Sequence, residues 1–181
     1  MSVLFGGLLA FGCLASCGDE EPEVLKPQSA TVAYVVNLGQ DLMDAAAVTI
    51  YYIDANGQQA QETVTAPQWT KTVTLTTLPV KVGFSVQPRV KGTPTAAEYA
   101  IEADGRMGIT LYDQEGGLHG RPFAGNLKTV KGQLGSDFLD QYLTRIGMTL
   151  SDAKAIGADG SITDTTITWG GNDDSEAPTP N

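Results

Sequence analysis

His119 is the only histidine in the chain, and both cysteines, Cys13 and Cys17, fall near its start. These are the side chains whose chemistry is hardest to replace, so their scarcity narrows what the protein can do. A hydrolytic triad needs a nucleophile, a base and an orienting acid; His119 is the single imidazole on offer, and no Gly-x-Ser-x-Gly elbow accompanies it. A zinc site takes three or four Cys, His or carboxylate ligands, and no cysteine follows Cys17. No glycine-rich phosphate loop stands between a strand and a helix. Asp159-Gly160-Ser161 with Asp164 has oxygen donors of the type calcium takes, but the EF-hand spacing is absent, and a solvated turn accounts for them. Carboxylate pairs for glycoside hydrolysis meet only in space, so spacing along the chain leaves them open. The expectation is a protein that is not an enzyme and uses neither metal nor cofactor.

One cysteine does announce chemistry. Val3 to Leu14 is an apolar and small-residue run without a charge, shorter than the ~20 residues that span a bilayer but suited to the apolar region of a secretory signal. It leads into Leu14-Ala15-Ser16-Cys17, which resembles a bacterial lipobox. Small side chains precede the cut, and the thiol receives diacylglycerol, becomes the first mature residue and carries further acyl chains such as palmitate. Cys13 is the poorer candidate, because bulky Phe11 stands where a small residue is wanted. The alternatives are a buried free thiol or a Cys13–Cys17 disulfide; the absence of any later cysteine favours lipidation of Cys17 and a membrane attachment through it.

The implied organisation is a lipoprotein signal peptide over 1–16, a lipidated acidic tether over 17–29, one domain over 30–170 and a disordered polar tail over 171–181. The run Asp19-Glu20-Glu21-Pro22-Glu23 resembles the acidic export signal of surface lipoproteins in the Bacteroidota, which implies the outer membrane and its cell-surface face. Much of the net charge of −10 belongs to the two ends; between Ala30 and Gly170 there are ten Lys and Arg against fourteen Asp and Glu. A net of −4 with no basic stripe disfavours nucleic acid as a partner.

Within the domain the dominant period is two. Val32, Tyr34, Val36 and Leu38 share one face, as do Val48, Ile50 and Tyr52, and then Asp54-Ala55-Asn56-Gly57 signals a hairpin. "WTKTVTLT", "VKVGFSV" and "RMGITLY" repeat the alternation, and "TTITW" is expected as a closing strand with Ile167 and Trp169 inward. One segment has helical period: Ser136 is placed to cap "DFLDQYLTRI", whose stripe is Phe138, Leu139, Tyr142, Leu143 and Ile146, with Gly147 as the stop. About seven antiparallel strands and one short helix near the C-terminus read as a mostly β, immunoglobulin-like sandwich. The order "VTIYYIDANGQQAQETVT", "WTKTVTL", "LPVKVGFSV", a late helix and terminal "ITWG" resembles a group of small Bacteroidota surface lipoproteins with an immunoglobulin-like domain. That resemblance implies fold and location and assigns no catalytic residue.

Trp69, Trp169, Val73 and Phe84 are expected in the core, while Lys71 shares the parity of Trp69 and marks an edge. Tyr51 is on the face opposite Val48, Ile50 and Tyr52, where it is available to a ligand. The glycine-rich stretch Asp113–Ser136 is long for a connection, and loops of that length are often functional. It offers His119, Arg121 and Phe123, with Phe123 expected in an accessible loop; the alternative makes Leu127–Lys131 an edge strand. Tyr51, His119, Arg121 and Phe123 are therefore the candidate contacts for a glycan or protein partner. The expected function is a binding or interaction module; the alternative is a structural spacer or accessory subunit with no small ligand.

Overall fold

The computed structural model describes residues 25–170, so the leader, Cys17, the acidic run and the tail 171–181 lie outside the described residues. Those residues form a mostly β, antiparallel sandwich. Its strands are β1 (Pro27–Leu38), β2 (Ala46–Ile53), β3 (Gln59–Val64), β4 (Gln68–Leu75), β5 (Val80–Val90), β6 (Glu98–Asp113), β7 (Phe123–Ala124), β8 (Lys128–Gly135), β9 (Ser151–Ile156) and β10 (Ile162–Asp164). One sheet runs β4-β1-β6, with β7 and β8 both on the far side of β6; the other runs β10-β9-β5-β2-β3. In the immunoglobulin fold, strand B lies between A and E, and F between C and G. Here β1 lies between β6 and β4, and β5 between β2 and β9. Those neighbour relations match, except that the strand in the A position comes late in the chain and, among the described residues, no strand takes the D position beside β4.

The period-two pattern decides which side chains enter. Val32, Tyr34 and Val36 of β1, Ile50 and Tyr52 of β2, and Val82, Phe84 and Val86 of β5 all face the central cluster. Val73 and Trp69 of β4 join them, as expected from parity. Where β6 passes the Phe84 ring it carries Gly105, because a Cβ there would stand 2.8 Å from the ring. The hairpin after β2 closes on Asp54, whose Oδ1 accepts the backbone N–H groups of Asn56 and Gln58, while Gly57 takes φ +72°. Non-glycine residues reach that left-handed region only at a cost.

The structure corrects four details. "TTITW" is not a strand beyond Asp164, so Ile167 and Trp169 lie on irregular chain. β9 was hidden because Asp152 and Lys154 occupy its inward positions, opposite Phe84 and Val82. A short helical turn, α1 (Gln40–Ala45), buries Leu42 after β1. The longer helix begins as a 3-10 turn (Ser136–Phe138) and continues as α2 (Leu139–Thr149). Ser136 makes no side-chain cap, Gly147 lies inside the helix, and the chain turns at Leu150, whose N–H reaches Ile146 O. Leu139, Leu143 and Ile146 are buried, whereas Phe138 is 64 % exposed. α2 packs along β5 where β9 no longer pairs with it, so the apolar face of an amphipathic helix completes that side of the sandwich.

Candidate functional site

The long stretch after β6 mostly returns to the sheet. Lys128–Gly135 pairs with the first half of β6, so the edge-strand alternative describes it, and Phe123 pairs with Ile109. Phe123 is therefore not in an accessible loop. It is half-buried, packs against the core, and has Lys154 Nζ 5.8 Å from its ring centroid. His119 turns elsewhere: its N–H donates to Leu111 O, and its ring lies against Gly160, where an added Cβ would be 3.0 Å from Cδ2 and Nε2. This brings the histidine to the Asp159–Ser161 turn. Ser161 Oγ donates to Asp159 Oδ1 at 2.6 Å, but no hydrogen bond links the imidazole to either residue. The relay a triad requires, serine to histidine to acid, is not formed. Arg121 is exposed. The three candidates thus part: one against a turn, one into solvent and one toward the core.

Tyr51 belongs to a built feature. The hairpin register sets Gln61 opposite Tyr51 and Gln59 opposite Ile53, all on the outward face of the sheet. After β10, residues 165–170 cross that face as a strap. Thr165 N–H donates to Ala153 O at one side; at the other, Gln59 Nε2 donates to Thr168 O at 2.7 Å, and Gly170 N–H donates to Gln59 Oε1 at 3.1 Å. Trp169 is buried under this strap but is absent from the central cluster. Ile53 and Ala153, outward by register, are likewise buried at 4 and 8 % without joining that cluster. Trp169 is buried as expected, yet on the other side of the sheet from the core. Tyr51, Gln59, Ala60, Gln61 and Gly170 line an open hollow of about 410 Å³ beside it.

Parity in the sequence places Tyr51 outward, but the hairpin signal does not give its partners. Counting symmetrically from Asn56-Gly57 would set Ala60 and Glu62 opposite Ile53 and Tyr51, whereas the register is centred on Asn56 and sets Gln59 and Gln61 there. The strap left no periodic trace, because its partners are one side chain and one carbonyl.

Two charged groups remain, one on the edge strand β3 and one on β9, which lies between β10 and β5. Glu62 of β3 accepts from Tyr52 Oη at 2.8 Å, Trp69 Nε1 at 2.8 Å and Lys71 Nζ at 2.6 Å. The Lys71 ammonium, with the indole and phenol donors, holds the Glu62 carboxyl down at about 2. Lys154 pairs with Asp152 and Asp164. Burial alone would lower its pKa, but the two carboxylates together raise it. Asp54, Glu62, Asp159 and Asp164 all shift downward, mostly through hydrogen bonds to the charged form. A glycosidase acid needs the opposite shift. Charges pointing inward from edge strands also hinder edge-to-edge pairing, and Glu62 on β3 with Lys71 on β4 has that geometry. Among the described residues no group of three or more His, Cys, Asp or Glu is placed to hold a metal ion.

Compared with family models and with curated protein sequences, the chain matches none.

Proposed function

We propose that the chain is a non-catalytic lipoprotein, anchored through acyl chains on Cys17 to the outer membrane and displayed at the cell surface, whose sandwich acts as a binding module. The observation that carries the reading is the hollow around Tyr51: an aromatic ring, two carboxamides and a fixed rim on the outward face of a rigid sheet. Sites set on strands hold their geometry better than sites on loops. The absence of a hydrogen bond between His119 and Ser161 supports a role without a serine relay.

A photo-crosslinking residue at Gln61, set against one at exposed Thr74 on the other sheet, tests the binding face in intact cells. Adducts of saccharide or protein mass at position 61 and not at 74 are expected; equal labelling at both, or none, removes the reading. The anchor is tested separately. Mass spectrometry is expected to find diacylglycerol on an N-terminal Cys17, and an unmodified thiol in the membrane fraction would end that part of the proposal. A second reading, an accessory subunit of an outer-membrane assembly, is favoured by Leu118 and Leu127, which stay 61 and 58 % exposed beside β7 and β8. If Leu118→Ser with Leu127→Ser releases a co-purifying protein while the position-61 adducts persist, the assembly reading gains and the two roles coexist.

A further inference from the structure

We propose that the hollow beside Tyr51 binds an uncharged sugar ring, and that Trp169 and Gln59 are the positioning residues that build the site; this rests on the reading of that face as the binding surface. The first observation is charge. In a chain of net −10, none of the five described lining residues is Asp, Glu, Lys, Arg or His. The outward neighbours in register with the hollow, Thr49, Thr63, Ser85 and Gln87, are also neutral. The nearest outward charges on β5, Lys81 and Arg89, are each four residues from Ser85, the partner of Tyr51, or roughly 13 Å along a strand. Among the described residues no cation on this face is placed to pair with a phosphate, a sulfate or a uronic acid.

The second observation is the state of the polar groups. Gln59 has its amide orientation fixed at both ends, since Thr168 O can only accept and Gly170 N–H can only donate. A carboxamide has two N–H donors and two lone pairs. Gln59 therefore keeps one donor and one acceptor for the hydroxyls of a sugar, on a carboxamide whose orientation the strap sets. Among the described residues neither the Gln61 side chain nor the Tyr51 hydroxyl makes a hydrogen bond, so both are available. Tyr51 adds a ring whose apolar body and polar tip suit the mixed surface of a pyranose. The hollow's volume lies within the ~300–1,000 Å³ common for small-ligand sites.

The third observation explains why Trp169 matters to a site it does not line. Its burial holds residues 168 and 170 where Gln59 can clamp them. A fixed carboxamide spares the ligand the cost of ordering it. Trp169→Phe keeps an apolar ring under the strap and should preserve binding, whereas Trp169→Ala frees the strap and should weaken it.

The test is affinity electrophoresis of the full chain in detergent, in gels cast with neutral polysaccharides (dextran, mannan, galactan, xylan) or acidic ones (polygalacturonate, heparin). Retardation is expected in at least one neutral gel and in neither acidic gel. Tyr51→Ala should abolish it, and Gln61→Ala and Trp169→Ala should each weaken binding roughly tenfold, with Trp169→Phe close to the parent. Retardation only in acidic gels, removed by Tyr51→Ala, would overturn the ligand class and leave the binding face standing. No retardation in any gel, with protein adducts at position 61 in cells, would do the same. Retardation in neutral gels that Tyr51→Ala leaves unchanged would overturn the site, and with equal crosslinking at 61 and 74 the binding face falls too. If Trp169→Phe binds as poorly as Trp169→Ala while melting like the parent, the positioning role is lost.

Discussion

Trp69 and Trp169 are buried to almost the same degree, 8 and 7 % exposed, yet they belong to different parts of the molecule. Trp69 lies inside, its ring centroid 5.5 Å from Tyr52 and 6.4 Å from Tyr34, with Nε1–H on Glu62. Trp169 lies on the far face of the other sheet, under a strap tied by Gln59. Both ties come from β3, whose alternate side chains point to opposite faces: Glu62 serves the interior and Gln59 the exterior. The difference teaches that fractional burial does not say which cooperative unit a side chain stabilises. Removing Trp69 opens a cavity among rings that join both sheets. Removing Trp169 affects a segment that can open by itself, as surface segments do well below the free energy of global unfolding.

The comparison breaks first at Trp69. Trp69→Ala is expected to cost ~3–5 kcal/mol, the range for a large aromatic cut from a core, and chemical denaturation should show a lower midpoint for the entire domain. Trp169→Ala should cost less, about 1.5–3 kcal/mol for the apolar surface it returns to water. Its signature is local: hydrogen exchange should speed up at the amides of Thr165 and Gly170 and remain slow at Val32–Leu38. If the β1 amides lose protection in parallel, the strap is part of the global unit and the distinction fails. Phe123→Ala comes third, at about 1–2 kcal/mol, because the ring is half-buried and so loses only part of a full core contribution. A midpoint unchanged by that variant would show that β7 contributes nothing to the core it covers.

What was legible in the sequence follows the same division. Alternation gave β1, β2, β4, β5 and β6 because each has one apolar face, and Lys71 marked β4 as an edge through an inward charge. β9 went unseen for that same reason in reverse: Asp152 and Lys154 occupy inward positions and erase the alternation. Phe123 is not legible because two residues of strand, registered against Gly108 and Ile109 alone, leave no period. Tyr51 was found from parity, but its surroundings were not. The hollow depends on a strap held by one glutamine more than 100 residues away in the chain and no local pattern encodes such a contact.

The smallest effect concerns pH, and it separates the two ties on β3. The Glu62 carboxyl is held at about 2 in the folded protein against an ordinary 4.5. A depressed carboxyl contributes stability that is fully present above its unfolded pKa and is lost as pH falls through the folded value. The Glu62 contribution should therefore be intact at pH 6 and fade between about pH 4.5 and 2. Both partners of the Glu62–Lys71 pair are 37 % exposed at the side chain, so solvent screening limits the pair to about 1 kcal/mol or less. Asp54, Asp159 and Asp164 shift in the same direction and add their own slope. The informative quantity is thus a difference between variants. Glu62→Gln should flatten the dependence of the denaturation midpoint between pH 6 and 2.5 relative to the parent. Gln59→Ala should lower the midpoint or free the strap equally at both pH values, because a carboxamide does not titrate in this range. If the two variants show the same pH slope, Glu62 does not act as the charged tie of the interior, and the contrast between the two faces of β3 reduces to packing alone.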